Sequence, residues 1–387
     1  MKKVLFLSEF FYPHWTGYAK ASLKTALRLT EQGYKCAVLA TQHDDALPLF
    51  EEYHGIAIFR AKPLIAISRT KYSLDSIIQF IRLVKNYDLI FINTPNSNGI
   101  FFSLIAKLAG KPTILFLHGD LIMPRGFKHR VLEAIFDVTM HLSCRLVDVV
   151  STYTQDYAEH SRILKHHMRK FSPLLMPVEF HEKDADPEIE ARLQRLRAEK
   201  GASALVGFAG RFVEEKAFDI LLAAVPQVVR QIPGVHFVYA GDFPHYEDFF
   251  DRLKPLWEEN AASLTHLGLL QGEAQMNAFY RHLDLYVLPS RSDCFGIVQV
   301  EAIEHRVPIV VTDIPGARWL VKQSGFGVLA APENPDSLAA AIVTALKRGK
   351  SGFPGWEKAR EITDKKNFFR QFAAIEGRLF PDVSPQE

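Results

Sequence analysis

Short apolar runs alternate along the chain with longer stretches in which apolar residues recur every three or four positions. Residues 4–7, 34–41, 56–60, 89–93, 113–117 and 147–151 read as buried strands. Between the first two, residues 18–32 predict a helix with Leu23, Ala26, Leu27 and Leu29 on one side. Lys20, Lys24 and Arg28 lie on another, and Gly33 ends it. Strand alternating with helix means a parallel, doubly wound α/β sheet. Residues 181–203 are highly charged and break this rhythm, so they read as a linker region with a helical piece after Pro187. The rhythm then restarts, with strands at 205–209, 235–240, 265–267, 283–288 and 307–311 and helices at 217–231 and 338–348. Gly and Pro crowd 349–355, and a last helix over 356–380 carries Phe368, Phe369, Phe372 and Ile375 for packing. The expectation is two tandem doubly wound domains, 1–180 and 204–355, with 356–387 crossing back onto the first. A cleft between two such domains is the expected ligand site.

Composition changes this picture little. The 387 residues exceed what one core normally holds. Cys36, Cys144 and Cys294 lie far apart without any C-x-x-C spacing, which argues against a disulfide framework or a zinc knuckle and fits a reducing, cytoplasmic setting. The apolar run after Lys2 and Lys3 stops at Ser8 and Glu9, too short for a signal peptide. Charge adds more. Residues 1–178 hold 22 Lys and Arg against 14 Asp and Glu, while the remainder holds 24 against 30. A basic first half and an acidic second half predict two domains with different partners.

The chemistry concentrates in residues 288–311, LPSRSDCFGIVQVEAIEHRVPIVV. A strand ends at Pro289, a polar turn follows, and a helix starts near Phe295 and Gly296. Asp293 stands just ahead of that helix and Glu301 inside it, among Val298, Val300, Ala302 and Ile303. A buried Glu needs a partner. Carboxylates at this end of a sheet would repel phosphate but accept from the hydroxyls of a ribose or hexose. The complementary signal is Gly210-Arg211 with Lys216, two cations between a strand and a helix. They can grip a diphosphate, each charge-assisted bond contributing roughly 1.5–3 kcal/mol; the plainer alternative pairs them with Glu214 and Glu215. His118 follows the strand at 113–117 and is a third candidate. Asp184-Ala185-Asp186 matches a metal-holding D-x-D but follows no strand and reads as a helix start. Residues 325–330 fit G-x-G-x-x-A without opening a helix, which argues against a dinucleotide. P-loop and G-x-S-x-G sequences are absent.

Together these residues resemble the retaining glycosyltransferases of GT-B fold, specifically glycosyltransferase family 4. Residues 293–301 look like that family's E-x7-E motif, and Gly210-Arg211 with Lys216 like its diphosphate site. Residues 241–244, GDFP, look like its G-D-G-P turn, and 12–17 like its glycine loop. The resemblance implies two Rossmann-like domains facing a cleft, a nucleotide-sugar donor held mainly by the second, and no cofactor or required metal. Arg211 and Lys216 would neutralise the leaving diphosphate, and Glu301 would accept from ribose. Asp293 and His118 would meet the donor sugar. Gly17, Gly210 and the N–H groups of Phe295, Gly296 and Ile297 would approach sugar and phosphate. Four positions depart from the pattern: Asp293 replaces a Glu, shortening its reach by ~1.5 Å, Thr16 and Phe243 replace glycines, and Ala217 stands where Gly is common.

The expected activity is transfer of a hexosyl unit, UDP- or GDP-linked, to a glycan or lipid-linked acceptor in polysaccharide, lipopolysaccharide or glycolipid synthesis. An epimerase, a sugar-phosphate synthase and a non-catalytic nucleotide-sugar-binding module are the alternatives. The basic first half, the aromatic loop at 10–15 and residues 125–130 (RGFKHR) predict peripheral contact with an anionic membrane surface, and no nucleic-acid partner.

Overall fold

A computed structural model describes residues 1–14, 16–67, 70–122, 126–176, 185–242 and 249–381. Trp15, Arg125, Asp184, Phe243 and Pro244, which carry parts of the motifs above, lie outside the described residues. The chain forms two compact units, Met1–Pro177 with Lys365–Glu387, and Val178–Asp364.

The first unit contains strands β1 (Lys3–Ser8), β2 (Lys35–Thr41), β3 (Phe50–Tyr53), β4 (Ile56–Ala61), β5 (Ile65–Ile67), β6 (Thr70–Tyr72), β7 (Leu89–Thr94), β8 (Thr113–Leu117) and β9 (Val149–Ser151). Its helices are α1 (Gly17–Glu31), α2 (Leu74–Leu83), α3 (Gly99–Leu108), α4 (Phe127–Leu146) and α5 (Gln155–His160). Seven strands form one sheet in the order β3-β4-β2-β1-β7-β8-β9, and β5 pairs with β6 alone. The pairing is parallel except at the β3 edge. β1, β7 and β8 are buried along nearly their whole length, because helices cover both faces of a parallel sheet. From the central β1 the chain moves one way through α1 and the other way through α2, α3 and α4. Right-handed crossovers therefore set α1 on one face and the other three on the opposite face.

The second unit contains β10 (Ala204–Ala209), β11 (Val235–Ala240), β12 (Leu264–His266), β13 (Leu285–Leu288), β14 (Ile309–Thr312) and β15 (Gly327–Ala330), in the parallel order β12-β11-β10-β13-β14-β15. Its helices are α6 (Pro187–Lys200), α7 (Phe218–Gln231), α8 (Phe249–Asn260), α9 (Gly272–His282), α10 (Ile297–Glu304), α11 (Ala317–Ser324), α12 (Pro335–Arg348) and α13 (Trp356–Thr363).

Two expectations are corrected. The linker region holds α6, and α6 belongs to the body of the second unit. Asp186 caps it by accepting from Glu188 N and Ile189 N at 3.0 Å each, Pro187 opens it, and Gly201 closes it in the left-handed conformation. Arg192 then donates to the carbonyls of Leu267 (2.8 Å) and His266 (3.1 Å), and Arg197 pairs with Asp284. The last helix is two helices, broken where Asp364 is extended. α13 stays with the second unit, Trp356 Nε1 donating to Ile303 O at 2.8 Å. Only α14 (Lys365–Leu379) joins the first. There Glu376 takes Lys2 Nζ (2.8 Å) and Tyr34 OH (2.9 Å), while Phe368, Phe372 and Ile375 are buried.

Candidate active site

In the second unit two strand-to-helix loops lie side by side because their strands do. β10 pairs with β13 through Val206↔Leu285 and Gly207↔Tyr286, so residues 210–217 and 289–296 emerge together at the carboxyl ends. Lys216 Nζ meets Asp293 Oδ2 at 2.7 Å. Their side chains are 23% and 8% exposed, so solvent screens this pair little. Burial opposes the Lys216 ammonium, but Asp293, with Glu215 beside it, outweighs burial and raises its pKa above the ordinary lysine value. Arg211 pairs instead with Glu215 at 2.9 Å on an open surface, the plainer alternative for this cation. Such a pair contributes little and yields easily to a better anion.

Arg291 fastens the two loops. It forks onto Asp219 (2.8 and 2.6 Å), reaches Glu333 (2.6 Å) and donates to Glu214 O (2.8 Å), while its backbone N–H donates to Glu215 O (2.8 Å). Asp219 and Glu333 hold its pKa above the arginine norm, with burial opposing them. The turn into α10 depends on glycine. Gly296 has φ 72°, and a Cβ there would lie 2.5 Å from Leu288 Cδ2. A Cβ on Gly316, at the start of α11, would lie 2.4 Å from Cys294 O. Gln299, fully buried, ties α10 to its neighbour by donating to Phe295 O and Ala317 O. Among the described residues nothing accepts from the N–H of Gly296 or Ile297, leaving both for a ligand at a helix N-terminus. Ala217 is left-handed at φ 51°, which explains why glycine is common there in the family and costs alanine about 1–2 kcal/mol.

Glu301 has the partner that burial demanded. It is 7% exposed, and Tyr280 OH donates to its Oε2 at 3.0 Å. Burial, together with the Glu301 charge, drives the Tyr280 phenol well above its usual pKa, so it remains a donor. Tyr280 is held in turn by stacking on His305 (centroids 5.8 Å) and by the ring of Tyr286. Tyr286 OH donates to Ala209 O at 3.0 Å, joining the Glu301 cluster to the end of β10.

The first unit gathers Gly17 and His118. Thr16 is the N-cap of α1, accepting from Ala19 N at 3.2 Å, which gives its departure from glycine a structural role. A Cβ on Gly17 would touch nothing, so this backbone is open to approach. His118 lies between Tyr18 and Phe116, with ring centroids 4.6 Å away on each side. Asn93 Nδ2 donates to Ser8 Oγ, so Asn93 Oδ1 accepts from His118 Nε2–H at 2.9 Å and Tyr153 OH donates to Nδ1 at 3.0 Å. Burial pushes the ring's pKa down to about 3, so it is neutral and both nitrogens are occupied. The aromatic loop is less exposed than expected. Phe11 is 1% exposed and Tyr12 stacks on Tyr53 at 4.1 Å, because the loop packs against its own unit.

Thus Gly210, Lys216, Asp293, Phe295, Gly296 and Ile297 come together, with Arg211 on the rim and Glu301 deeper on the same helix. Arg291, Tyr280 and Gln299 escaped the sequence reading. Arg291 and Gln299 stand within or beside the E-x7-E stretch, the one signal that could have drawn attention to them.

The pattern of Glycosyltransferase Family 4 matches residues 16–169, and that of Glycosyl transferases group 1 matches residues 203–348. An uncharacterized glycosyltransferase of Methanocaldococcus jannaschii is 21% identical over 329 residues, 82% of each chain. The alpha-monoglucosyldiacylglycerol synthase of Streptococcus pneumoniae is 23% identical over 354 residues, 88% of this chain and 77% of its own. Among solved structures, Anabaena HepE in complex with UDP and glucose matches at TM-score 0.76 and 18% identity, over 97% of this chain and 100% of its own. With the two patterns falling on the two units in chain order, the chain belongs to glycosyltransferase family 4 and is a glycosyltransferase of the GT-B fold.

Proposed function

We propose that the protein is a retaining, metal-independent hexosyltransferase that takes its sugar from a UDP- or GDP-linked donor and passes it to a glycan or lipid-linked acceptor. The observation that carries this reading is the Lys216–Asp293 pair beside the open N–H groups of Gly296 and Ile297. A donor diphosphate entering there takes Lys216 and Arg211 from their carboxylates and meets the start of α10. Asp293, released, turns to the sugar hydroxyls, and Glu301, fixed by Tyr280, accepts from ribose. The leaving diphosphate is stabilised by charges already in place, which lowers the barrier without a protein nucleophile. Two cations supply that charge without a divalent ion. The donor is also what HepE holds in its complexes, as UDP-glucose and as UDP with glucose.

His118, at the strand ends of the first unit, is a neutral ring fixed by Asn93 and Tyr153, with neither nitrogen free for a sugar hydroxyl. Its occupied nitrogens count against an epimerase, which needs groups free to exchange protons on the sugar ring. A lipid-linked acceptor fits the basic first unit, and the enzyme then works in glycolipid or polysaccharide synthesis on the inner face of a membrane. The test is nucleotide release from a panel of UDP-, GDP- and ADP-sugars, with and without glycolipid acceptors and with EDTA. Acceptor-dependent release that survives EDTA is expected. Tight nucleotide binding with no release for any donor and acceptor would instead establish a binding module.

A further inference from the structure

Twenty large apolar side chains are exposed among the described residues, and nineteen of them belong to the first unit. Twelve lie on α2, α3 and α4, the three helices that share one face of the sheet. On α4, Phe127, Val131, Ile135, Val138 and Leu142 are 83%, 43%, 56%, 59% and 42% exposed. Their spacing of three and four puts them in one stripe, opposite the Met140 and Cys144 that face the core. Phe101, Leu104 and Leu108 repeat the device on α3, and Leu74, Ile78 and Ile81 on α2. Scattered exposed leucines need no explanation, but three neighbouring helices with apolar outer stripes do.

The charges around these stripes identify the occupant. Arg82, Lys85, Lys107, Lys128, Arg130 and Arg145 are all exposed on or beside the same helices. The acidic residues of the three helices are engaged elsewhere. Asp75 accepts from Lys62 N and Gln79 Nε2, and Glu133 and Asp137 both pair with Arg162. The face therefore offers apolar side chains bordered by cations that form no ion pair among the described residues. A second copy seated on it would set those cations against themselves across a two-fold axis. An anionic bilayer complements both features at once.

We infer that the outer face of α2, α3 and α4 docks on an anionic phospholipid bilayer, the apolar stripes entering the headgroup layer and the cations meeting lipid phosphates. No helix among the described residues is long and apolar enough to cross a membrane, so this contact lies on the surface. The inference rests on the proposed lipid-linked acceptor, since a transferase for such an acceptor must reach the bilayer that holds it. It also moves the contact from the aromatic loop, which packs against its own unit, to three helices, and keeps residues 127–130 of the expected basic segment at the start of α4.

The test uses the full chain with phosphatidylcholine vesicles, with and without phosphatidylglycerol. Flotation with the anionic vesicles, reversed by salt, is expected. Ile135→Asp with Val138→Asp lowers the partition at least tenfold, and Leu104→Asp on α3 does the same independently. Lys128→Ala and Arg130→Ala lower it about fivefold each. Thermal unfolding and nucleotide binding stay at the parent values in all of these variants. Equal partition of parent and variants, or no preference for anionic vesicles, overturns the inference. So does lipid-free self-association in sedimentation velocity that Ile135→Asp abolishes, which assigns the face to a second copy. Sugar transfer to a soluble glycan without vesicle binding sinks the docking surface and spares the transferase reading. Vesicle binding without any nucleotide release does the reverse.

Discussion

The two units share an architecture and differ in where their chemistry sits. In the second, the distinctive residues lie at the carboxyl ends of strands, where Lys216, Asp293 and Arg291 lock adjacent loops by ion pairs. Its outer surface is quiet, with Leu269 as its one exposed large apolar residue among those described. The first unit is the reverse. Its strand ends hold a neutral, fully engaged His118, and its outer helices carry the apolar and basic face. The same fold thus carries paired charges at its strand ends in one unit and a broad apolar and basic face in the other. The acidic and basic halves of the sequence reflect that division.

The sharpest way to break this comparison is Lys216→Ala. Loss of a charge aimed at the leaving group lowers turnover about 10³-fold, while circular dichroism and vesicle flotation stay at the parent level. Near-normal nucleotide release would remove Lys216 from the mechanism. The clamp comes next. Arg291→Lys loses the two-pronged hold on Asp219, a difference of about 1–2 kcal/mol. Donor KM should rise about tenfold with little change in kcat or melting temperature. A matched fall in melting temperature would make Arg291 a folding element only.

Tyr280→Phe removes one hydrogen bond to Glu301, worth about 1–2 kcal/mol. Its predicted signature is selective: weaker binding of the ribose nucleotide and less discrimination against the 2′-deoxy form, measured by calorimetry. Unchanged discrimination would detach Glu301 from ribose.

A further effect, seen only against pH, is in the first unit. The folded His118 ring stays neutral down to about pH 3, against 6.5 ordinarily. The unfolded chain therefore binds the extra proton in between, and stability present above pH 6.5 is lost as pH falls toward 3. His118→Gln should flatten the slope of unfolding free energy against pH by up to ~1.4 kcal/mol per unit. His167, His236 and His305, each lowered to about 4, keep the remainder of the slope. An identical slope would mean that the ring is protonated in the fold.

The strands were legible because parallel strands are apolar runs, and the loops between β10 and α7 and between β13 and α10 because charge there has few other uses. Arg291 was not. Its partners Asp219 and Glu333 are 72 and 42 residues away, and nothing local distinguishes it from a solvated turn residue. Tyr280, 21 residues before Glu301, looked like one more aromatic on an ordinary helix. The face on α4 escaped for another reason. Residues 127–146 carry Phe127, Val131, Leu132, Ile135, Phe136, Val138, Met140 and Leu142 on several sides. Only the sheet decides which side is covered. The break at Asp364 was hidden because both halves of the expected helix have helical composition, and only the packing separates them.

The placement of α14 has a consequence for how the protein is made. β1 is made well before α14, yet Lys2 and Tyr34 wait for Glu376, and Phe368, Phe372 and Ile375 are buried only after the whole second unit has been synthesised. The second unit has all its strands and helices by Asp364. At typical synthesis rates of about 5–20 residues per second, the earliest-made unit therefore remains incomplete for many seconds while the later one can close. The nascent chain thus completes the loops after β10 and β13 before its first unit is sealed.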